Sequence, residues 1–180
     1  MLVLTIPGEE FWDAKKEEFV TSKGWTLTLE HSLVSLAKWE SKWCKPFLSQ
    51  TDKTEEEIVD YVRFMTLTQN VDPEAYEHLT TEHYNKINEY INAPKTATWF
   101  SKEKKGGRSR EQVTAEVIYY WMIAHNIPFE CQKWHLNRLL TLIKVCNIKS
   151  QPPKKMSRRE ILSQNAALNA ARRKRLGTKG

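Results

Sequence analysis

The hydrophobic period of the chain changes at His31, and this change limits the possible folds more than any other feature. Before it, Trp25, Leu27 and Leu29 alternate with threonines, as in a strand with one buried face. After it, large apolar residues recur every three or four positions, as on one face of a helix. The sequence therefore predicts a mainly α protein, a helical domain that begins with a small β-hairpin or sheet over about residues 1–30.

The predicted hairpin consists of two runs rich in residues that favour strands. Residues 19–21 and 25–29 flank Ser22-Lys23-Gly24, and a glycine is suited to a tight turn. Residues 2–6 form a third extended run. We therefore expect two or three strands, with the turn of the hairpin at Gly24.

Residues that commonly cap helices precede several of the periodic runs. Ser32 can cap the first helix, and Thr54 with Glu57 has the spacing of a capping box. Asp72-Pro73 pairs an N-cap with a proline at the first helical position. The predicted buried stripes are Leu33, Leu36, Trp39, Trp43 and Phe47; Ile58, Tyr61, Val62 and Met65; Tyr84, Ile87 and Ile91; and Leu136, Leu139, Leu140 and Ile143.

The most apolar run covers residues 113–124. It is apolar over more than half of its helical circumference, which predicts the central helix of the core, with Trp121 buried in it. A charged loop over residues 101–110 precedes it, and Ser109 with Gln112 has the spacing of another capping box.

Basic residues are concentrated at the C-terminal end. Residues 151–180 hold nine basic residues and one acidic residue, a net charge of +8, whereas residues 1–150 have a net charge of −2. Gln151-Pro152-Pro153 separates the two parts. The sequence therefore predicts a helical body over 1–150 and a basic tail over 151–180. We expect the tail to be a linker followed by a helix that starts near Ser157. This helix is marginal alone, because its apolar stripe is thin: Ile161, Leu162, Leu168 and Leu176.

No arrangement of residues in the sequence indicates an enzyme. A Gly-x-Ser-x-Gly elbow is absent, and Gly106-Gly107 lacks the spacing of a phosphate loop. Cys131, His135 and His125 could converge, but a structural zinc site needs four ligands, so a buried thiol beside a half-buried histidine is expected. We therefore predict no metal and no cofactor.

The expected location is the cytoplasm. The three cysteines are odd in number and widely spaced, which favours reduced thiols. The sequence contains no long apolar run of the kind that spans a membrane, and residues 1–8 are too short for a signal peptide.

The basic tail is the clearest candidate binding site. Its charges could neutralise phosphates with release of counterions, but the tail has no aromatic residue on which bases could stack. The same charges suit docking onto an acidic protein, or they keep the chain in solution. Trp12 and Trp25 are further candidates for interface anchors. The predicted docking residues are Arg158, Arg159, Arg172, Arg173, Lys174 and Arg175.

Several segments resemble a family of small tail-region proteins encoded by tailed phages, the tail assembly chaperones. The segments are LEHSLVS at 29–35, KWESKW at 38–43, MTLTQN at 65–70, CQKWHLNRLL at 131–140, PPKKMS at 152–157 and the basic end from 168 to 180.

The resemblance implies a small, largely helical protein of the host cytoplasm that assists assembly of the virion. Such a chaperone coats the tape measure protein and helps to bring tail tube subunits to it. Family members often occur in a short form and a frameshift-extended form, with which a body followed by a basic tail is compatible. Self-association is a further expectation. Two alternatives remain: a structural protein of the tail or head–tail joint that stays in the virion, and a phage regulator that binds nucleic acid through the tail.

Overall fold

The protein is described by a computed structural model that covers residues 1–8, 10–13, 17–21, 23–50, 52–100, 112–151 and 158–177. It is mainly helical with a small antiparallel hairpin at its N-terminal end, as predicted. The chain divides into two compact units, Met1–Asn147 and Ile148–Gly180. We call the first unit the body.

Four short strands form the hairpin: β1 (Leu2–Ile6), β2 (Glu10–Asp13), β3 (Glu18–Thr21) and β4 (Trp25–Leu29). Strand β1 pairs with β4, and β2 pairs with β3, both antiparallel. Leu2 faces Leu29 in the outer pair and Glu10 faces Thr21 in the inner pair, so both pairs follow one continuous register. The four strands are therefore successive parts of one long two-stranded hairpin.

The prediction of a turn at Gly24 is wrong. Strands β3 and β4 follow each other along one arm of the hairpin and do not pair with each other. A Cβ atom on Gly24 would lie 3.0 Å from the carbonyl oxygen of Ile6 and 3.1 Å from the amide nitrogen of Gly8. Glycine is therefore needed there for the close approach of two backbones rather than for reversal of the chain. The chain reverses between β2 and β3, where Glu17 has a φ of 54°.

Six helices follow: α1 (Leu33–Trp43), α2 (Glu55–Met65), α3 (Thr81–Asn92), α4 (Ala115–Ala124), α5 (Leu136–Ser150) and α6 (Arg158–Leu176). Pro73–Tyr76 forms a short 3₁₀ helix that Asp72 caps, and Phe129–Lys133 forms another.

The capping residues predicted for α1 and α2 are confirmed. The Ser32 hydroxyl accepts from the amide of Ser35, and Thr54 and Glu57 form a reciprocal capping box. Helix α4 begins later than expected, at Ala115. The capping residue proposed for it, Ser109, and the loop 101–110 lie outside the described residues.

The body contains two hydrophobic cores, and α1 contributes to both. The first core packs the hairpin against α2 and α3, and Trp39 enters it from α1. The second core packs α4 against α5, and Leu33 and Leu36 enter it from α1. The Trp39 side chain is fully buried, and its indole N–H donates to the Glu57 carbonyl oxygen at 2.8 Å. The Glu40 carboxylate accepts from the first amide of α4, that of Ala115, at 2.7 Å.

The prediction that residues 113–124 form the central helix is wrong. Helix α4 buries only Ala115, Ile118 and Met122, while Tyr120 and Ile123 on its other side are 66% and 60% exposed. Trp121 is half-buried. The central position belongs to α1, because a helix between two cores must bury two faces. A helix that is apolar around most of its circumference can either bury two faces or leave one apolar face exposed, and the sequence alone does not distinguish the two.

Trp39→Ala should lower the free energy of unfolding by about 3–5 kcal/mol, because it removes a fully buried indole and leaves a cavity. Trp99→Ala is the matched control. Since the Trp99 side chain is 82% exposed, the loss there should stay within about 0.5 kcal/mol. Chemical denaturation of both variants measures the difference. Equal losses would contradict the placement of Trp39.

Candidate docking surfaces

The six predicted docking residues all lie on α6, but the helix does not bring them to one point. Arg158 and Arg159 are in its first turn, and 172–175 are in its last turns. A rise of about 1.5 Å per residue separates the two groups by about 20 Å. All six side chains are exposed. The helix therefore offers two basic ends, and the proline-containing segment 152–157 before it lies outside the described residues.

The apolar residues of α6 share one side of the helix. At about 100° per residue, Ile161, Leu162, Leu168 and Leu176 fall within an arc of about 120°. Each of these four side chains is exposed, between 44% and 67%. Arg158 and Arg172 fall within the same arc, so α6 is a basic helix with a thin, uncovered apolar stripe that two arginines share.

An acidic surface lies on the body and was missed in the sequence. Residues 52–89, which include α2, the first 3₁₀ helix and most of α3, hold ten acidic and three basic residues, a net charge of −7. Two of the ten, Glu57 and Asp60, are buried and pair with Lys45 and Lys42, and the others form the surface. In the sequence, Glu55-Glu56-Glu57 has the ordinary appearance of an acidic first helical turn and does not by itself indicate a surface. A count of charge by segment is the signal that could have found the surface.

The acidic surface surrounds a groove of about 780 Å³, which we call the acidic groove. Glu55, Glu56 and Glu77 line it with exposed side chains and, among the described residues, form no ion pair. The more buried Asp60 pairs with Lys42. The apolar residues of the groove are Val59, Leu79 and Tyr84.

A second groove, which we call the apolar groove, lies along the other side of α2 and has a volume of about 410 Å³. Ile58 is 40% exposed beside it, and the rings of Phe47 and Tyr61 stack within it at a centroid distance of 3.9 Å. Its remaining apolar lining residues are Val62, Tyr84, Ile87 and Ile91. This composition suits the apolar face of an amphipathic helix.

The tryptophans predicted as interface anchors are not brought together. Trp25 is half-buried and stacks on His78 at a ring distance of 5.3 Å. The side chain of Trp12 lies outside the described residues. Trp99, which no periodic pattern singled out, is the more exposed indole.

Of the three candidate metal residues, only His135 belongs to a buried polar network, while Cys131 packs in the second core and His125 lies nearer the surface. Cys131 is buried, and so is His135, which was expected to be half-buried. The His135 Nε2 atom lies 3.0 Å from the Tyr90 carbonyl oxygen, and the His125 Nε2 atom lies 2.9 Å from Asn147 Oδ1. Within the described ranges, no group of three or more His, Cys, Asp or Glu side chains is placed to hold a metal ion.

His31 is the centre of this network. Its Nδ1 atom lies 2.6 Å from the Tyr61 hydroxyl, and its ring packs edge-on to the ring of His135 at 5.2 Å. Burial, with a smaller repulsion from His135, lowers the pKa of His31 to about 3. Burial also lowers the pKa of His135, against the opposing effects of its hydrogen bond to Tyr90 and the charge of Glu30. The two rings are therefore neutral when the body is folded at neutral pH.

Comparison with known protein families, with curated proteins and with solved structures finds no match to this chain. None of the helices in the described part of the chain combines the length and apolarity that crossing a membrane requires.

The buried histidines predict acid sensitivity. The unfolded chain takes up a proton at His31 near its ordinary pKa of about 6.5, whereas the folded chain resists protonation down to about pH 3. Stability should therefore fall as the pH drops below about 6.5, and His31 alone contributes a loss of about 2 kcal/mol between pH 7 and pH 5. Denaturation across this range measures it.

His31→Asn is the informative variant, because its amide oxygen can replace Nδ1 as the acceptor for Tyr61 without titrating. The variant should be less stable at pH 7, yet it should lose much less stability between pH 7 and pH 5. An unchanged slope would place the titrating group elsewhere.

Proposed function

We propose that this chain is a phage tail assembly chaperone that holds two partners at once and performs no catalysis. The observation that carries the proposal is the division of the chain into two units with different surface chemistry. The body offers an open apolar groove, and the second unit offers an exposed basic helix. In this proposal the protein acts in the host cytoplasm.

The apolar groove is the proposed site for the tape measure protein. Tape measure proteins are long and helical, and the apolar face of an amphipathic helix can enter a groove of this kind. Ile58 at the edge and the stacked Phe47 and Tyr61 supply the apolar surface. Coating of this kind keeps the apolar stripes of a partner away from water until assembly.

Helix α6 is the proposed site for the tail tube protein. Its basic ends favour an acidic partner surface, and Ile161, Leu162 and Leu168 supply apolar contacts. Because α6 belongs to the same chain as the groove, a tube subunit bound to it has a high effective concentration near the tape measure protein. The two sites together would promote their meeting.

Binding to the two partners should be lost separately. Ile58→Glu should abolish capture of a tape-measure helix, because it places a charge in the apolar groove, and should leave capture of the tube protein unchanged. Arg172→Glu/Arg173→Glu should have the reverse effect. Ile123→Glu is the matched control for the groove variant, since Ile123 is an exposed isoleucine on α4. Pull-down of each purified partner measures the outcome.

The two-site proposal would be contradicted if either variant lost both partners. It would also be contradicted if both variants still captured both partners. Discovery of the chain in purified virions would favour the alternative of a structural tail protein.

The charge of α6 also favours the alternative of a nucleic-acid-binding regulator. In the chaperone proposal, binding to DNA or RNA is weak and falls steeply with salt, because it depends on a few phosphate contacts that release counterions. A titration at two salt concentrations distinguishes the functions. Tight, sequence-selective binding that persists at about 0.15 M salt would support the regulator instead.

A further inference from the structure

Charge is distributed along this chain so that one segment of the body attracts the tail. Residues 52–89 have a net charge of −7 and residues 151–180 have +8. The rest of the body does not share this attraction, since residues 1–51 have −1 and residues 90–150 have +6. A basic helix is therefore attracted to the segment that holds α2, the first 3₁₀ helix and most of α3 more than to the rest of the body.

The acidic groove offers α6 both apolar surface and unpaired carboxylates, while Lys42 and Arg63, which also line it, pair with the buried Asp60. Val59, Leu79 and Tyr84 give the groove an apolar surface, and Glu55, Glu56 and Glu77 lie beside it. Since Arg158 and Arg172 lie on the side that bears the isoleucine and leucines, a helix that enters with that side inward would bring these two arginines to the carboxylates. Arginine and carboxylate then form charge-assisted hydrogen bonds.

Both surfaces are uncovered in the single chain. The described side chains of α6 are exposed, as are those of Glu55, Glu56 and Glu77. A 19-residue helix is marginal by itself, so a partner that covers its four large apolar residues would stabilise it. Each copy of the chain therefore carries one exposed helix and one exposed groove that complement each other.

We propose that α6 of one copy docks in the acidic groove of a second copy. Reciprocal exchange of the two helices closes a dimer with two such contacts, whereas one-way docking leaves open ends and builds longer assemblies. This proposal does not depend on the chaperone function. If both hold, self-association occupies α6 and competes with an acidic partner for the same arginines.

Charge reversal in the full-length chain tests the proposal by its effect on mass in solution. The wild-type protein should have at least the mass of a dimer in light scattering at about 0.15 M salt, and should dissociate at about 1 M salt, where exposed charges are screened. Glu56→Lys/Glu77→Lys should be monomeric, and so should Arg172→Glu/Arg173→Glu. Circular dichroism of each variant checks that its helices are retained.

Glu116→Lys/Glu130→Lys is the matched control for the groove variant. It changes the net charge equally, and both residues are exposed, in the first turns of α4 and of the second 3₁₀ helix. This control should associate like the wild type. If it also dissociates, net charge alone explains the result and the proposal is overturned.

Mixing the two monomeric variants is the decisive arm of the experiment. The native α6 of the groove variant meets the native groove of the tail variant, and the acidic α6 of the tail variant meets a groove that now carries lysines. The mixture should therefore regain the mass of a dimer that neither variant forms alone. A mixture that stays monomeric would overturn the proposal, as would a wild-type protein that is monomeric at all concentrations.

Discussion

Helix α1 is the element on which the rest of the body depends, because its side chains enter both cores. Leu33 and Leu36 pack with α4 and α5, while Trp39 packs with the hairpin, α2 and α3. Polar contacts strengthen both connections: the Trp39 indole donates to the Glu57 carbonyl, and the Glu40 carboxylate accepts from the amides of Ala115 and Phe47. A buried carboxylate at the first turn of α4 also interacts favourably with the positive end of that helix dipole. Two small cores thereby become one body.

The same arrangement leaves surfaces free for binding. Helix α2 faces the first core with Tyr61, Val62 and Met65; the apolar groove lies at the edge of this face, beside Ile58, and the acidic groove lies beside Glu55, Glu56 and Val59. Glu57 and Asp60 are buried and pair with Lys45 and Lys42, whereas Glu55 and Glu56 stay exposed. The division between carboxylates that stabilise the fold and those that face solvent therefore follows from the helical period of α2.

Local signals in the sequence predicted much of the fold. The hydroxyls of Ser32 and Thr54 mark helix starts because unpaired amides at those positions need acceptors close in sequence. Leu27 and Leu29 alternate with threonines because only one face of β4 is buried.

The predictions that were wrong concern features that depend on contacts between residues distant in sequence. A glycine such as Gly24 is equally compatible with a tight turn and with the close approach of two paired strands. The apolar sequence of α4 does not reveal that Tyr120 and Ile123 face solvent. Of the two charged surfaces, the basic one on α6 is visible in the sequence as a cluster of arginines, whereas the acidic one over residues 52–89 is spread over three elements that only the fold brings together.

Native-state hydrogen exchange, measured at high salt so that α6 has no partner, tests most directly the claim that α1 joins two cores into one cooperative body. The amides of β4 in the first core and of α5 near Leu139 in the second should exchange with the same free energy of opening, while those of α6 should exchange with little protection. A distinctly lower free energy for α5 than for β4 would show that the second core opens by itself, and the central role given to α1 would then be wrong.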